Sequence, residues 1–282
     1  MESLNVFHGT CFEDNYKKIL DLILNNGKKR HVRGFNTLEI SPFLYITDKP
    51  QLNMLMSKTR NINKAFAIAE WLWIMSGRND AEMIIPYNKN IIQYSDDKIT
   101  FNGAYGINLK SQLDYAIETL ISDRYSRQAI ISIWNKNPKK SKDIPCTLSF
   151  QFLVEDNKLN MITMMRSNDV WLGLPYDFFN FTMIQAWIAF KLNLEIGYYN
   201  HFVGSIHLYE NNFEKARLLS VQPTLVSEIC NEMKFVSNEL FELIEFEQRL
   251  RVDGECINTL VNSPWVEMAD ILAKFWQNKK IK

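Results

Sequence analysis

The amino-acid sequence predicts a single α+β domain. Helical segments occupy the first half and the C-terminal part of the chain, and strand-length runs cluster between them, after residue 129. The 282 residues are 46% hydrophobic, which is enough material for one large core. No internal repeat, low-complexity segment or clear linker interrupts this pattern, so residues 1–282 are expected to form one domain.

Apolar residues at helical spacing predict the helices. Residues 12–26 follow this spacing and end at Gly27, a residue type common just after a helix. Residues 62–76 are almost wholly apolar and are followed by Gly77, and Glu70 is the only acid among them. The remaining helices are predicted at 111–122, 178–192, 225–250 and 265–279.

Short β-branched or apolar runs bounded by polar turns predict the strands. The runs 147–154 and 158–165 flank the polar sequence EDNK, which indicates a hairpin. The stretch 37–46 is typical of a strand interrupted at Pro42. The basic stretch 28–35 is expected to be a turn, either solvated or facing a phosphate. Further strands are predicted at 129–134 and 205–210.

Charge and cysteine content exclude several classes of protein. Lys plus Arg equals Asp plus Glu at 32 each, so a general affinity for nucleic acid is disfavoured and phosphate binding should be local. The most apolar stretch, 178–192, is too short to span a bilayer, and the polar start does not resemble a signal peptide. No C-x-x-C pair occurs among the cysteines, which are Cys11, Cys146, Cys230 and Cys256. We therefore expect free thiols in the cytoplasm, no metal, and no membrane or nucleic-acid partner.

Cys146 is a candidate nucleophile. It follows Pro145 at a loop-to-strand boundary, which would hold its side chain still at a rim. A thiolate there needs a neighbouring positive charge, and the predicted hairpin would bring Arg166 close. A buried, inert cysteine is the alternative.

Other polar residues each have a chemical and a structural interpretation. Glu70, alone on an apolar helix, suits proton handling or water ordering, or pairs with a lysine at the helix margin. Arg166 with Ser167, and separately Arg127, suit phosphate binding, or form surface ion pairs. His207 and Tyr209 share one strand face and could reach sugar hydroxyls, or lie in the core.

Taken together and in order, these residues resemble the thymidylate synthase family. The resemblance covers about residues 30–215 and is most specific over 145–209, and residues 216–282 stay unassigned. It implies a large mixed β-sheet flanked by helices. Glu70, Tyr105 and Arg127 fall in the expected order upstream. The motifs are Pro145-Cys146, Gln151-Phe152, Arg166-Ser167-x-Asp169, Leu172-Gly173-Leu174-Pro175 and Gly204-x-x-His207-x-Tyr209.

Within that family the details resemble the phage-type deoxycytidylate hydroxymethylases. Cys146 is followed by Thr147 where a synthase typically has His, and Gly204 by Ser205 where a synthase has Asp. The run Met165–Val170 also resembles the hydroxymethylases. A synthase has Asn where this chain has Asp177.

Asp177 has a physical interpretation as the residue that selects the base. Cytosine presents a donor at N4 and an acceptor at N3, whereas uracil presents an acceptor at O4 and a donor at N3. An ionised carboxylate only accepts, and a protonated carboxyl can accept from N4–H while it donates to N3. The aromatic neighbours of Asp177 should raise its pKa by burial. The alternative is that Asp177 is a solvent-facing N-cap of the helix 178–192.

The resemblance also implies a mechanism. The Cys146 thiolate would add to C6 of the pyrimidine, and C5 would then attack 5,10-methylenetetrahydrofolate. Tyr105 would help remove the C5 proton through water, and Glu70 would order the water that adds to the resulting methylene. The resemblance assigns the phosphate to Arg166, Ser167, Arg127 and Arg33, the ribose to His207 and Tyr209, and the folate pterin to Asp169.

The same resemblance implies a homodimer in which Arg127 acts across the interface. Two departures weaken the phosphate assignment: Gln128 stands where the family has a second arginine, and Arg33 is displaced by one position. The sequence thus predicts a folate-dependent 5-hydroxymethylase of dCMP or CMP. A thymidylate synthase acting on dUMP and a catalytically silent nucleotide-binding relative are the alternatives.

Overall fold

The computed structural model describes residues 5–224, 240–254, 257–260 and 265–280. The predicted helical residues 225–239, together with Cys230 and Cys256, lie outside this part of the chain. In the described part the helices are α1 Phe12–Asn26, α2 Lys64–Met75, α3 Ala81–Ile84, α4 Gly106–Ser122, α5 Leu174–Lys191, α6 Phe213–Ser220, α7 Leu240–Val252 and α8 Val266–Lys280. The strands are β1 Asn5–His8, β2 Lys28–Val32, β3 Phe35–Ile40, β4 Phe43–Thr47, β5 Ile130–Ser132, β6 Thr147–Glu155, β7 Lys158–Met165, β8 Asn168–Asp169, β9 Glu195–Val203 and β10 Ile206–Tyr209.

The described chain divides into two compact units, which we describe separately. The first comprises the described residues through 62, 115–135 and 146–224, and it holds every strand named above. The second comprises residues 63–114, 136–145 and the described residues from 240 onward. The predicted assignment of 1–282 to one catalytic domain stays a prediction.

A large mixed sheet forms the centre of the first unit. Six of its described strands lie in the order β1-β4-β9-β7-β6-β5. The pairs β1–β4 and β7–β9 are parallel, and the other neighbours are antiparallel. Strands β6 and β7 form the hairpin expected around EDNK, with positive φ at Asp156 and Asn157 in its turn. This sheet, flanked by helices, confirms the predicted fold class.

Helices α1 and α5 pack through aromatic side chains in this unit. The rings of Phe12 and Phe178 stack with centroids 4.0 Å apart, and the ring of Tyr199 meets Phe178 edge-on at 5.4 Å. All three side chains are fully buried. Burial of each ring stabilises the fold by about 2–3 kcal/mol, so this cluster holds α5 firmly against β9.

A smaller sheet of the first unit places the residues next to the candidate site. Among the described strands its order is β2-β3-β10-β8. The predicted basic turn 28–35 is wrong in extent, because residues 28–32 form an exposed strand and the turn is confined to Arg33 and Gly34. Both turn residues have positive φ, which matches the right-handed twist of a tight hairpin.

Other differences from the predicted elements have local causes. Helix α5 begins at Leu174, four residues earlier than predicted, because Pro175 is well tolerated in a first helical turn. Strand β9 and helix α6 were not predicted. The β9 sequence EIGYYNHFV carries Asn200 and His201 among its apolar residues, and this mixture hides the strand pattern.

The second unit packs around α2. The buried Trp71 ring of α2 lies 5.7 Å from Trp265, just before α8, and Gly77 with φ 72 follows the helix as predicted. A buried polar cluster fixes α7: Glu247 accepts hydrogen bonds from the Tyr87 hydroxyl at 3.0 Å and from Arg251 Nε at 3.1 Å. No helix within the described residues is long and apolar enough to cross a membrane.

Candidate active site

The β6–β7 hairpin brings the candidate nucleophile next to a cation. Thr147 pairs with Met165, so the residues just outside this pair, Cys146 and Arg166, are neighbours. The Arg166 backbone N–H donates to the Cys146 carbonyl at 2.8 Å, and Arg166 Nη2 lies 3.6 Å from Cys146 Sγ. Both residues are partly exposed. This confirms the predicted neighbourhood, and a guanidinium at this distance favours the thiolate form.

Strands β8 and β10 bring the next two motifs together. They pair in parallel with His207 opposite Asp169, and Ser167 Oγ lies 3.4 Å from His207 Nδ1. The rings of His207 and Tyr209 contact each other edge-on at 5.2 Å. Both residues are partly exposed, so neither lies in the core.

Asp169 is held by the loop that leads into α5. Its Oδ1 accepts hydrogen bonds from the backbone N–H groups of Trp171 at 2.8 Å and Leu172 at 2.9 Å. Arg60 braces the same loop by donating from Nη2 to the Trp171 carbonyl at 2.8 Å. Burial raises the pKa of Asp169, while the loop N–H groups and His207 act in the opposite direction. Among the described residues, Oδ2 receives no hydrogen bond, so it could accept one from a ligand.

Asp177 lies within helix α5 and is not its cap. The N-cap is Gly173, so the alternative that Asp177 caps the helix is wrong. Its Oδ2 accepts a hydrogen bond from Asn168 Nδ2 at 2.7 Å. Burial raises its pKa to about 7 despite this hydrogen bond, and the nearby Asp169 adds to the rise. A side chain at Gly173 would approach Asn168 Nδ2 to 3.0 Å and Asp177 Oδ2 to 3.1 Å, so glycine leaves room for the bond.

A buried chain of hydrogen bonds leads from Asp177 into the core. Asn168 Oδ1 lies 3.1 Å from His201 Nε2, and His201 Nδ1 lies 2.8 Å from the Tyr199 hydroxyl. Asn168, His201 and Tyr199 are at most 2% exposed. Burial lowers the pKa of His201 to about 3, so the imidazole is neutral near pH 7.

The two outlying arginines of the first unit remain apart from this cluster. Arg33 lies in the β2–β3 turn, and Arg127 lies just before β5, where its carbonyl accepts from Gln151 Nε2 at 3.2 Å. Both side chains are exposed, and neither forms a hydrogen bond or ion pair with another described residue. They are therefore available to a ligand or to another chain.

Comparison with known proteins identifies the family of this chain. The thymidylate synthase family model matches residues 14–249. The chain belongs to the thymidylate synthase family. This match confirms the predicted family resemblance. Members of the family are folate-dependent one-carbon transferases.

The relatives of this chain include both hydroxymethyltransferases and thymidylate synthases. A deoxyuridylate hydroxymethyltransferase from Bacillus phage SP01 is 28% identical over 91% of this chain and 79% of its own length. A thymidylate synthase from Mycoplasma genitalium is 26% identical over 74% of this chain and 86% of its own. The solved structure of thermostable thymidylate synthase A from Bacillus subtilis superposes with a TM-score of 0.68 at 26% identity, covering 77% of this chain and 86% of that one.

The remaining residues predicted to be catalytic belong to the second unit. Glu70 lies on α2 and is partly exposed, whereas most residues of that helix are buried. Tyr105 immediately precedes α4 and is also partly exposed. Their participation in catalysis stays a prediction. No group of three or more His, Cys, Asp or Glu side chains able to hold a metal occurs within the described ranges.

Sequence reasoning missed the residues that surround Asp177. The sequence presents Asn168 only as part of a motif, and it does not mark His201 or Tyr199 as site residues. Tyr199 and His201 alternate in sequence with Tyr198 and Asn200, as residues on opposite faces of a strand do. Nothing local, however, indicates that this face meets Asn168, which lies 33 positions earlier in the chain.

Proposed function

We propose that the protein adds a hydroxymethyl group to C5 of dCMP or CMP, with 5,10-methylenetetrahydrofolate as the one-carbon co-substrate. The observation that carries this proposal is Asp177. Its carboxyl is partly exposed, takes a hydrogen bond from Asn168, and has a pKa raised to about 7 by burial. A carboxyl with this property can hold a proton near neutral pH, which an ordinary aspartate does not.

A proton held on Asp177 allows a complementary pair with cytosine. A protonated carboxyl accepts from N4–H of cytosine and donates to N3, so both edges of the base are satisfied. An ionised carboxylate instead meets the O4 acceptor of uracil with like polarity. Each mismatched buried polar group costs about 1–3 kcal/mol, and a factor of ten in preference requires about 1.4 kcal/mol.

Cys146 supplies the nucleophile in this proposal. Its thiolate, favoured by the Arg166 guanidinium 3.6 Å away, adds to C6 of the ring and transfers electron density to C5. C5 then forms the bond to the one-carbon unit and loses its proton with help from Tyr105 through water. Departure of tetrahydrofolate leaves a methylene on C5, to which a water ordered by Glu70 adds as the C6–S bond breaks.

The other predicted residues hold the substrates. Arg166 and Ser167 bind the phosphate, with Arg33 and with Arg127 contributed across a homodimer interface. His207 and Tyr209, which share one strand face, bind the ribose. The Oδ2 atom of Asp169 accepts from the pterin of the folate, a role consistent with its hydrogen-bonding capacity.

The names of the relatives favour a second candidate function. Two phage relatives, from Bacillus phage SP01 and Pseudomonas phage M6, are called deoxyuridylate hydroxymethyltransferases, which favours dUMP as the substrate of the same reaction. In that case a neutral Asp177 would donate to O4 of uracil and accept from N3–H.

One set of incubations tests both candidates. The protein is mixed with methylenetetrahydrofolate and with dCMP, CMP or dUMP, each carrying tritium at C5. We expect tritium release and a 5-hydroxymethyl product with a cytosine nucleotide, without the absorbance rise that accompanies dihydrofolate. Exclusive use of dUMP would overturn the cytosine proposal, and the absorbance rise would indicate a methylating synthase.

A matched variant separates substrate preference from general damage. Asp177→Asn should raise the ratio of dUMP to dCMP turnover by about tenfold or more, because an amide can donate to O4. An unchanged ratio would mean that Asp177 does not read the base. Absence of tritium release with every nucleotide would indicate a catalytically silent relative.

A further inference from the structure

The proposed hydrogen bonds between Asp177 and the base do not by themselves explain how cytosine is distinguished from uracil. A protonated carboxyl can carry its proton on either oxygen, so alone it can satisfy cytosine or, with the proton on the other oxygen, uracil. Discrimination requires something that decides which oxygen holds the proton. Among the described residues, Asn168 contacts only Oδ2, at 2.7 Å, and this contact makes the two oxygens of the carboxyl inequivalent.

The orientation of the Asn168 amide in the structure fixes the tautomer of His201. Nδ2 points to Asp177 Oδ2 and Oδ1 points to His201 Nε2; the flipped amide would instead require the carboxyl proton on Oδ2 and an unprotonated Nε2. With Nδ2 toward Asp177, Oδ1 faces His201 Nε2, which must then carry the ring proton. His201 Nδ1 is left as an acceptor for the Tyr199 hydroxyl at 2.8 Å.

The three hydrogen bonds from Tyr199 to Asp177 therefore all donate in the same direction. Tyr199 O–H donates to His201, His201 Nε2–H donates to Asn168, and Asn168 N–H donates to Asp177. The three donors are buried, so reversing one link alone would leave an unpaired polar group in the core, and reversing all three would need the carboxyl proton on Oδ2. The neutral state of the buried His201 allows it to donate and accept at once.

We infer that Asn168, oriented by His201 and Tyr199, is a specificity-determining positioning residue that keeps Oδ2 of Asp177 a proton-free acceptor and assigns the carboxyl proton to Oδ1. This inference rests on the proposed function, because it explains how Asp177 would distinguish cytosine from uracil. The carbonyl oxygen of a carboxylic acid is a better acceptor than its hydroxyl oxygen, so the Asn168 donor favours the proton on Oδ1. Oδ2 can then accept from N4–H of cytosine with its second lone pair, while Oδ1–H donates to N3.

The experiment compares two bases in the same protein sample. Tritium release from C5 of dCMP and of dUMP gives a ratio of the two kcat/KM values, in which any loss of folded enzyme cancels. Asn168→Leu keeps the approximate shape and removes the donor without opening a cavity for water. We expect this variant to lower the dCMP/dUMP ratio by about tenfold, the effect of one lost hydrogen bond.

Control variants separate positioning from packing. Gln185→Met removes a different buried amide, one that lies on α5 and whose Nε2 donates to the Leu159 carbonyl at 2.9 Å, and it should leave the ratio unchanged. His201→Gln retains a donor toward Asn168 and should keep most of the preference. Tyr199→Phe retains the ring and removes the first donor of the hydrogen-bond series, so it tests the inference if Asn168→Leu does not fold. It should lower the dCMP/dUMP ratio about two- to fivefold.

The pH dependence of dCMP turnover should change in the Asn168 variant, and a purely structural role of Asn168 would leave it unchanged. The groups around Asp177 are Asn168 and Asp169 from β8, and Tyr199 and the neutral His201 from β9. The cytosine pair needs one shared proton, so dCMP use should fall as pH rises above the pKa of Asp177. Loss of the Asn168 donor should move this fall to higher pH.

The outcomes distinguish the inference from the proposed function. A wild-type preference for dCMP that Asn168→Leu leaves unchanged would overturn the inference alone. An equal loss of preference in Gln185→Met would also overturn it, by assigning the effect to general loosening of α5. A wild-type enzyme that prefers dUMP would overturn the cytosine proposal, and the inference with it.

Discussion

Replacing Asp177 by Asn should change the free energy of unfolding, relative to the wild type, by an amount that grows with pH. The same substitution should reduce the preference for cytosine. The pKa of this carboxyl is raised from 3.8 to about 7 by burial. In the unfolded chain the group is ionised above about pH 5, whereas in the folded protein it stays protonated until about pH 7. The folded state thus binds more protons between the two pKa values. The wild type therefore loses stability as pH rises from about 4 to about 7, and above about pH 7 its stability changes no further through this group.

The size of the effect follows from the same shift. Each pH unit between the two pKa values corresponds to about 1.4 kcal/mol, so between about pH 5.5 and about pH 7 the wild type loses at most about 2 kcal/mol through this group. Asp177 retains some accessible surface, and screening by solvent reduces the figure to about 1–2 kcal/mol. An amide does not titrate, so the stability advantage of Asp177→Asn should grow by this amount over the interval.

Urea unfolding at several pH values and one protein concentration measures this difference. Any constant effect of the amide on packing cancels, because the prediction concerns the change of the difference with pH. Asp156→Asn, in the exposed β6–β7 turn, makes the same chemical change on the surface and is the matched control. An Asp177→Asn difference that is flat between pH 5.5 and 8.5, or that falls, would refute the burial of this carboxyl.

The remaining predictions concern the thiol, its cation and the second unit. Cys146→Ser should abolish tritium release while nucleotide binding, followed by calorimetry, is retained; release by the variant would exclude Cys146 as the nucleophile. Arg166→Gln should slow alkylation of Cys146 by iodoacetamide near pH 7 about tenfold, since the guanidinium 3.6 Å from Sγ favours the thiolate, and an unchanged rate would contradict that role. Arg251→Met should destabilise the protein by about 3–5 kcal/mol in urea unfolding, because it leaves the buried Glu247 without its ion pair; the double variant Arg251→Met, Glu247→Leu should recover much of the loss, and equal instability of the two would argue against an uncompensated charge.

The neighbourhood of the thiol was predictable because it is local. Two strand-length runs around a short polar turn can pair in few ways, and the turn length sets the register that brings Cys146 to Arg166. The same holds for α1 and α2, whose ends at Gly27 and after Met75 agree with the predicted helices to within two residues. The order of motifs also sufficed to identify the family, since each motif is short and contiguous.

The surroundings of Asp177 were predictable only in part. Its aromatic neighbours indicated burial and a raised pKa, and in the structure burial raises this pKa to about 7. The predicted start of its helix was wrong, because Gly173 and Pro175 begin α5 before the aromatic run. The donor that contacts the carboxyl comes from β8, and the residues that orient this donor come from β9, a strand whose mixed composition concealed it.

The sequence by itself determined the family, the α+β class, the hairpin that places Cys146 beside Arg166, and the acid at position 177. These depend on interactions between residues close in the chain or on short contiguous motifs. Only the tertiary structure decided how that acid behaves. Its pKa and its hydrogen-bonding partner depend on desolvation and on side chains from distant strands, and those are set when the sheet and helix α5 pack together.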